Sequence, residues 1–194
     1  MKPFIFKLYA VLLALFSMCS AYAALCPNEN QQVRATTPTE DFILFENGTA
    51  IHKRTGLMWM RCSNQQVWDG AKCIGNSIGA TWANALVIAE QSDFASYTDW
   101  RLPNIKELQT IIEARCLPGG VNEVVFPIAD RVYYSDPDEE IWLGGNNFWS
   151  ATTTVFPSAY GPSAWIVHFN SASTSFTRKG TVRSFRLVRE VASE

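Results

Sequence analysis

Three groups of side chains in this sequence have the types and spacing to do chemistry. Asp136, Asp138, Glu139 and Glu140, followed by Asn146 and Asn147, supply hard oxygen donors of the kind a calcium ion takes, though not at EF-hand spacing. A solvated acidic loop is the competing reading. Arg178, Lys179, Arg183, Arg186 and Arg189 form a basic group whose guanidinium forks could pair bidentately with sulfate-like anions. Strand alternation divides that group, with Arg183 and Arg189 on one face and Arg186 on the other. The seven tryptophans are the third group. Trp68 and Trp142 fall in loops, where an indole could stack on a ligand such as a sugar ring, whereas Trp149 and Trp165 fall in strands, where large aromatics fill cores. Catalysis has little to stand on, because His52 and His168 are the only histidines and each lies inside a strand pattern without a metal or triad motif. The sequence therefore reads as a non-catalytic protein with no required cofactor beyond the calcium option.

The cysteines and the N-terminus set the context in which such groups would work. Lys2 and Lys7, an apolar run from Leu8 to Phe16 and the closing Ala21-Tyr22-Ala23 read as a secretory signal over residues 1–23. A spanning helix needs about 20 apolar residues, and this core is shorter, so no stable membrane insertion is expected after cleavage. A lipoprotein processed at Cys19 is disfavoured by the bulky Met18 before it. The expected compartment is the periplasm or the exterior. Without Lys2 and Lys7, 14 basic residues face 18 acidic ones, so the net charge moves from -2 to -4. That balance argues against a nucleic-acid partner. Cys26, Cys62, Cys73 and Cys116 remain, and an even number in an exported chain favours two disulfides. Of three possible pairings, Cys62 with Cys73 is favoured because the two are close and flank the turn-like Asp69-Gly70, leaving Cys26 for Cys116. A zinc site competes weakly, since no C-x-x-C pair is present.

The elements that must position these groups centre on Asp99-Trp100-Arg101-Leu102-Pro103-Asn104. Asn104 and Glu107 have capping-box spacing, and Ile105, Leu108, Ile111 and Ile112 recur at helical spacing, so a helix should bury that face and leave Lys106, Gln109 and Glu113 wet. Trp100 should pack, and Arg101 should pair with a carboxylate or backbone carbonyls. Upstream, residues 24–41 read as an extended arm held mainly by Cys26. Phe42-Ile43-Leu44-Phe45 and Thr49-Ala50-Ile51-His52 flank Asn47-Gly48, a hairpin turn that also explains the glycosylation-like Asn47-Gly48-Thr49. Leu57-Met58-Trp59-Met60 is apolar on both faces and should be a central strand. Residues 63–72 read as a polar loop, and Thr81 caps a second helix with Trp82, Ala85, Leu86 and Ala89 on one face. After Cys116, strands are expected at Phe148 to Thr152, Ala164 to Phe169, Thr174 to Thr177 and Ser184 to Arg189. In the second of these, Trp165, Val167 and Phe169 should share a face.

Taken in order, Thr55-Gly56-Leu57-Met58-Trp59-Met60-Arg61-Cys62, Trp68-Asp69-Gly70 with Cys73, Thr81-Trp82 with Ala85, and Asp99 through Leu108 resemble the Legionella collagen-like protein C-terminal domain family. Phe148-Trp149-Ser150, Ala164 through Phe169 and Arg186-Leu187-Val188-Arg189 extend the match across most of residues 42–190. The resemblance implies an exported α+β domain, similar to C-type lectins and to the formylglycine-generating enzyme fold. It also implies that most relatives lack an assigned activity and that the founding member is a surface adhesin binding sulfated glycosaminoglycans through this domain. That member's collagen-like stalk has no counterpart in this sequence. The acidic run does not match the calcium loop of true C-type lectins, and the enzyme's pair of late cysteines is missing, since no cysteine follows Cys116. The expectation is a disulfide-stabilised, C-type-lectin-like α+β domain, with two amphipathic helices in its first half packed on antiparallel hairpins. Its expected role is adhesion, with a glycan or surface polymer as partner through Trp68, Trp142, Arg178, Lys179 and Arg183. An envelope protein is the alternative partner.

Overall fold

A computed structural model describes residues 24–127, 146–155 and 161–191. Asp136, Asp138, Glu139, Glu140 and Trp142 lie outside the described residues, as does the expected secretory signal over residues 1–23.

The chain forms an antiparallel α+β domain. β1 (Phe42–Leu44), β2 (Thr49–His52) and β3 (Leu57–Met60) make a meander, and the last strand, β9 (Val188–Glu190), returns to pair with β3. β4 (Val67–Trp68) and β5 (Cys73–Ile74) form a small hairpin. β6 (Asn147–Thr153), β7 (Ser163–His168) and β8 (Ser173–Arg178) form a second, three-stranded antiparallel sheet. α1 (Trp82–Glu90) and α2 (Ile105–Gln109) lie between the two small-hairpin strands and the second sheet in chain order.

β3 is central and buried on both faces because its alternate side chains enter two different cores. Trp59 joins Phe42, Leu108, Ile111, Phe126 and Val167 on one side. Met58 joins Ala85, Trp100, Trp149, Ile166 and Phe185 on the other. Fully burying one such side chain contributes roughly 1.5–3 kcal/mol, so these two clusters dominate the stabilisation.

The organising stretch joins the sheets through its backbone. Arg101 exchanges hydrogen bonds with Val188 of β9, N–H to O=C at 2.9 and 3.0 Å, and Ala151 of β6 donates to the Pro103 carbonyl at 2.7 Å. Next to it, the Ile105 amide donates to Thr152 Oγ1 at 2.9 Å. Trp100 is buried, and its indole N–H donates to the Phe94 carbonyl at 2.9 Å.

Both expected helices form, with the expected caps. Thr81 Oγ1 accepts from the Asn84 amide, and Asn104 with Glu107 makes a complete capping box. α2, however, spans only five residues. The Thr110 hydroxyl donates to the Glu107 carbonyl at 2.6 Å, an alternative to helical continuation for that carbonyl. Leu108 and Ile111 are still fully buried, but the helical projection fails for Glu113. Instead of facing water, its carboxylate is fully buried. It accepts from the amides of Thr36, Thr37 and Arg115 and from the Thr37 hydroxyl.

The arm is correspondingly more firmly held than an extended segment tied by one cysteine. Besides Glu113, Arg115 pairs with Glu29 at 2.9 Å and donates to the Val33 carbonyl, while Asn122 donates to the Thr37 carbonyl and to Thr39 Oγ1. Thr39–Asp41 is a short 3-10 turn. The bridges are Cys26–Cys116 and Cys62–Cys73, with Cα separations of 5.8 and 5.5 Å, inside the usual disulfide range.

Further departures concern strands. The loop expected over residues 63–72 contains β4, so Trp68 is a strand residue. The closing strand is shorter than the run from Ser184 to Arg189, since only Val188–Glu190 forms a ladder while Ser184 makes an isolated bridge to Phe148. Phe169 leaves the β7 face for the 3-10 turn Phe169–Ser171. Val167 enters the core, and Trp165 stays half-buried against Phe176, ring centroids 5.9 Å apart.

Candidate functional site

The strongest gathering of sequence-singled residues is the turn between β8 and β9. It contains three of them within six positions: Arg178, Lys179 and Arg183. The Thr181 amide donates to the Arg178 carbonyl at 3.0 Å, which closes the turn. Its flanks are fixed by Lys179 N–H to the Pro162 carbonyl at 2.9 Å and by reciprocal bonds between Ala80 and Arg183 at 2.9 and 3.0 Å. The start of α1 is tied to it as well, since the Trp82 amide donates to the Lys179 carbonyl. Lys179 Nζ then sits 3.8 Å from the centroid of the Trp82 ring, a cation–π contact that holds the ammonium over the indole. Arg178 is exposed.

Trp82 thus belongs to this surface, although its sequence position marks it only as a helix residue on the core face. One signal for the surface is present in the sequence: no aspartate or glutamate occurs between Glu140 and Glu190. A chain that is acidic overall therefore carries a local stretch with cations alone.

Arg186 and Arg189 do not join that surface. Arg189 forks onto Asp99, Nε to Oδ1 at 2.6 Å and Nη2 to Oδ2 at 3.1 Å, and lies 4.0 Å over the Tyr97 ring. The hydrogen bond from Arg189 holds the Asp99 carboxyl below its ordinary range. Arg186 turns inward and is buried, donating to the carbonyls of Met60 and Arg61. Alternation explains the split, because neighbours Phe185 and Leu187 enter one core and push Arg186 to the opposite side.

Trp68 is separately engaged. Its indole N–H donates to the Glu46 carbonyl at 2.7 Å, and the Arg61 guanidinium lies 4.0 Å from its ring centroid. Gly48, at φ +81°, accommodates it: a Cβ there would lie 2.7 Å from the Trp68 side chain.

Both histidines are held by close contacts. His52 is buried, stacked on Phe42 at 4.7 Å between centroids, with Nδ1 3.1 Å from Thr55 Oγ1. Burial, then the neighbouring Arg54, lower its pKa against a smaller upward pull from Asp41. His168 bridges three strands, Nδ1 to Asn147 Oδ1 at 2.7 Å and Nε2 to Ser175 Oγ at 2.6 Å. An amide oxygen only accepts, so Nδ1 carries the proton and Nε2 accepts from the serine hydroxyl. Burial and then Arg183 lower the His168 pKa. Such a chain can orient a hydroxyl, but its third member is a neutral amide.

A cleft of about 1300 Å³ runs along the arm, and four of its charged side chains pair with one another, Arg115 with Glu29 and Arg54 with Asp41. Among the described residues no group of three His, Cys, Asp or Glu side chains could hold a metal ion. No helix there is long and apolar enough to cross a membrane.

These features define a disulfide-stapled α+β domain with a fixed basic turn beside an indole. The chain belongs to the Lcl C-terminal domain family, whose model matches residues 48–189. No curated protein and no solved structure matches it.

Proposed function

We propose that this is an exported, non-catalytic binding module that recognises an anionic glycan or surface polymer through the β8–β9 turn. The observation that carries the reading is the Lys179–Trp82 contact at 3.8 Å, flanked by Arg178 and Arg183 on a hydrogen-bonded backbone. Sulfate or carboxylate groups spaced along a polymer would meet the cations, and the fixed turn reduces the ordering cost of binding. The two disulfides support an oxidising compartment, periplasmic or extracellular. The C-type-lectin-like reading of the fold belongs to the same proposal, supported by the family membership.

A glycan array carrying sulfated polysaccharides, probed with the oxidised protein across a salt series, tests this. Binding should fall with salt and drop several-fold in Arg178→Ala with Lys179→Ala, while the Arg189→Lys control keeps it. Salt-insensitive binding that chelator abolishes would instead move the site to the calcium option at Asp136 to Glu140. One observation favours a protein partner as the second reading. β1 is an edge strand, and Ile43, Leu44 and Phe45 beside that edge are 45%, 37% and 36% exposed. Absence of glycan binding together with a stable envelope-protein complex, lost in Ile43→Lys, would establish that alternative.

A further inference from the structure

The buried side of the C-terminal basic stretch has chemistry that polymer recognition at the surface does not use. Arg186 is only 3% exposed, and no carboxylate pairs with it among the described residues. Its hydrogen-bond partners are the carbonyls of Met60 and Arg61, with Ser63 Oγ at 3.5 Å. These are dipoles, which orient a guanidinium without cancelling its charge. A neighbouring charge makes matters worse. Arg61, 7% exposed, is a second cation close enough to disfavour the charged form of Arg186, and it too has no carboxylate partner among the described residues: it donates to the carbonyls of Val124 and Val125 and lies over the Trp68 ring. Burial and Arg61 together push the Arg186 pKa down to about 9, which still leaves it charged at neutral pH.

Arg186 lines a cavity of about 30 Å³, and two hydroxyls lining the same cavity are buried without a protein partner among the described residues: Ser77 Oγ and Ser184 Oγ. Ser184 and Arg186 are two positions apart on extended chain, which brings both to one side. The cavity is larger than one water molecule needs and too small for a sugar ring or phosphate ester. Phe148 and Phe169 provide apolar wall, which strengthens electrostatic attraction inside.

We propose that this cavity binds a small monovalent anion of halide size, held by the Arg186 guanidinium and the hydroxyls of Ser77 and Ser184. The anion neutralises the buried cation and gives both hydroxyls an acceptor. It ties the segment between β5 and α1, which carries Ser77, to the chain entering β9. The site is independent of the surface turn, so its failure would leave the glycan reading untouched.

Bromide is the probe, because it scatters anomalously and matches chloride in charge. Crystals of the oxidised protein grown in bromide should show one anomalous peak in contact with Arg186, Ser184 and Ser77. In solution, the melting temperature should rise with bromide relative to gluconate at equal ionic strength, since gluconate is too large to enter. Ser184→Ala removes one donor to the anion and should weaken the apparent affinity about tenfold. Arg186→Met should abolish the dependence. If Arg186→Met fails to fold, Ser184→Ala and the anomalous map still decide. No peak in the cavity, or equal melting temperatures in bromide and gluconate, would overturn the proposal and assign the space to water.

Discussion

The Glu107 carboxylate is shared between two jobs: Arg101 grips it through two hydrogen bonds of 2.8 Å, and the same group accepts from the Asn104 amide at 2.7 Å to close the capping box. One side chain therefore starts α2 and fixes the arginine whose backbone pairs with β9. Burial pushes the Glu107 pKa up, but the bonds from Arg101 and Asn104 outweigh it and the net direction is down.

Glu107→Gln should cost about 1–2 kcal/mol in urea unfolding, through loss of charge-assisted bonds. In a double-mutant cycle with Arg101→Ala, the coupling should be about 1 kcal/mol or less. The Arg101 side chain is 37% exposed, and water screens the pair. A coupling near zero would mean that the cap alone accounts for the effect.

Glu113→Ala should loosen the arm. It strips the acceptor from the amides of Thr36, Thr37 and Arg115, and buried unsatisfied donors cost about 1–3 kcal/mol each. Trypsin should then cut after Arg34 markedly faster, with the fragment still attached through Cys26–Cys116 until reduction. Unchanged cleavage would show that Arg115 and Asn122 hold the arm without Glu113.

The two disulfides should contribute unequally. Closing a 90-residue separation constrains the unfolded chain more than closing one of 11, by roughly 4.5 against 3 kcal/mol in the chain-entropy model. Paired Cys→Ser variants, unfolded in denaturant, test the order. Peptide mapping of unreduced protein checks the pairing itself.

Acid should destabilise the domain before its carboxylates titrate. His52 and His168 both have folded pKa values below the ordinary 6.5. The unfolded chain therefore takes up protons first, and their contribution, complete above about pH 6.5, is lost as pH falls toward the folded values. His52→Gln and His168→Gln should each flatten the stability profile below pH 6.5. A profile unchanged in both variants would place the acid sensitivity on carboxylates.

Much of the frame was legible in local sequence because local chemistry specifies it. Asn104 and Glu107 form a capping box at a fixed spacing, Asn47-Gly48 turns where φ must be positive, and Leu57 to Met60 is apolar at every position because both faces are covered. The basic turn was legible as charge, but Trp82 was not legible as its neighbour. Helical periodicity places Trp82 on the core face, and only the return of β8 brings Lys179 over its ring.

The caps, the turns, the two-faced central strand and the family follow from local sequence, since each rests on residues a few positions apart or on short motifs in a fixed order along the chain. The differing fates of like residues depend on contacts made across the fold. Glu113 is buried because the arm, 76 positions earlier, offers it backbone amides. Arg186 is buried because its neighbours Phe185 and Leu187 enter one core and turn it inward, whereas Arg178, at the end of β8, is exposed. Charge is a property of the residue, but its cost and its partner depend on what the folded chain brings within a few ångströms.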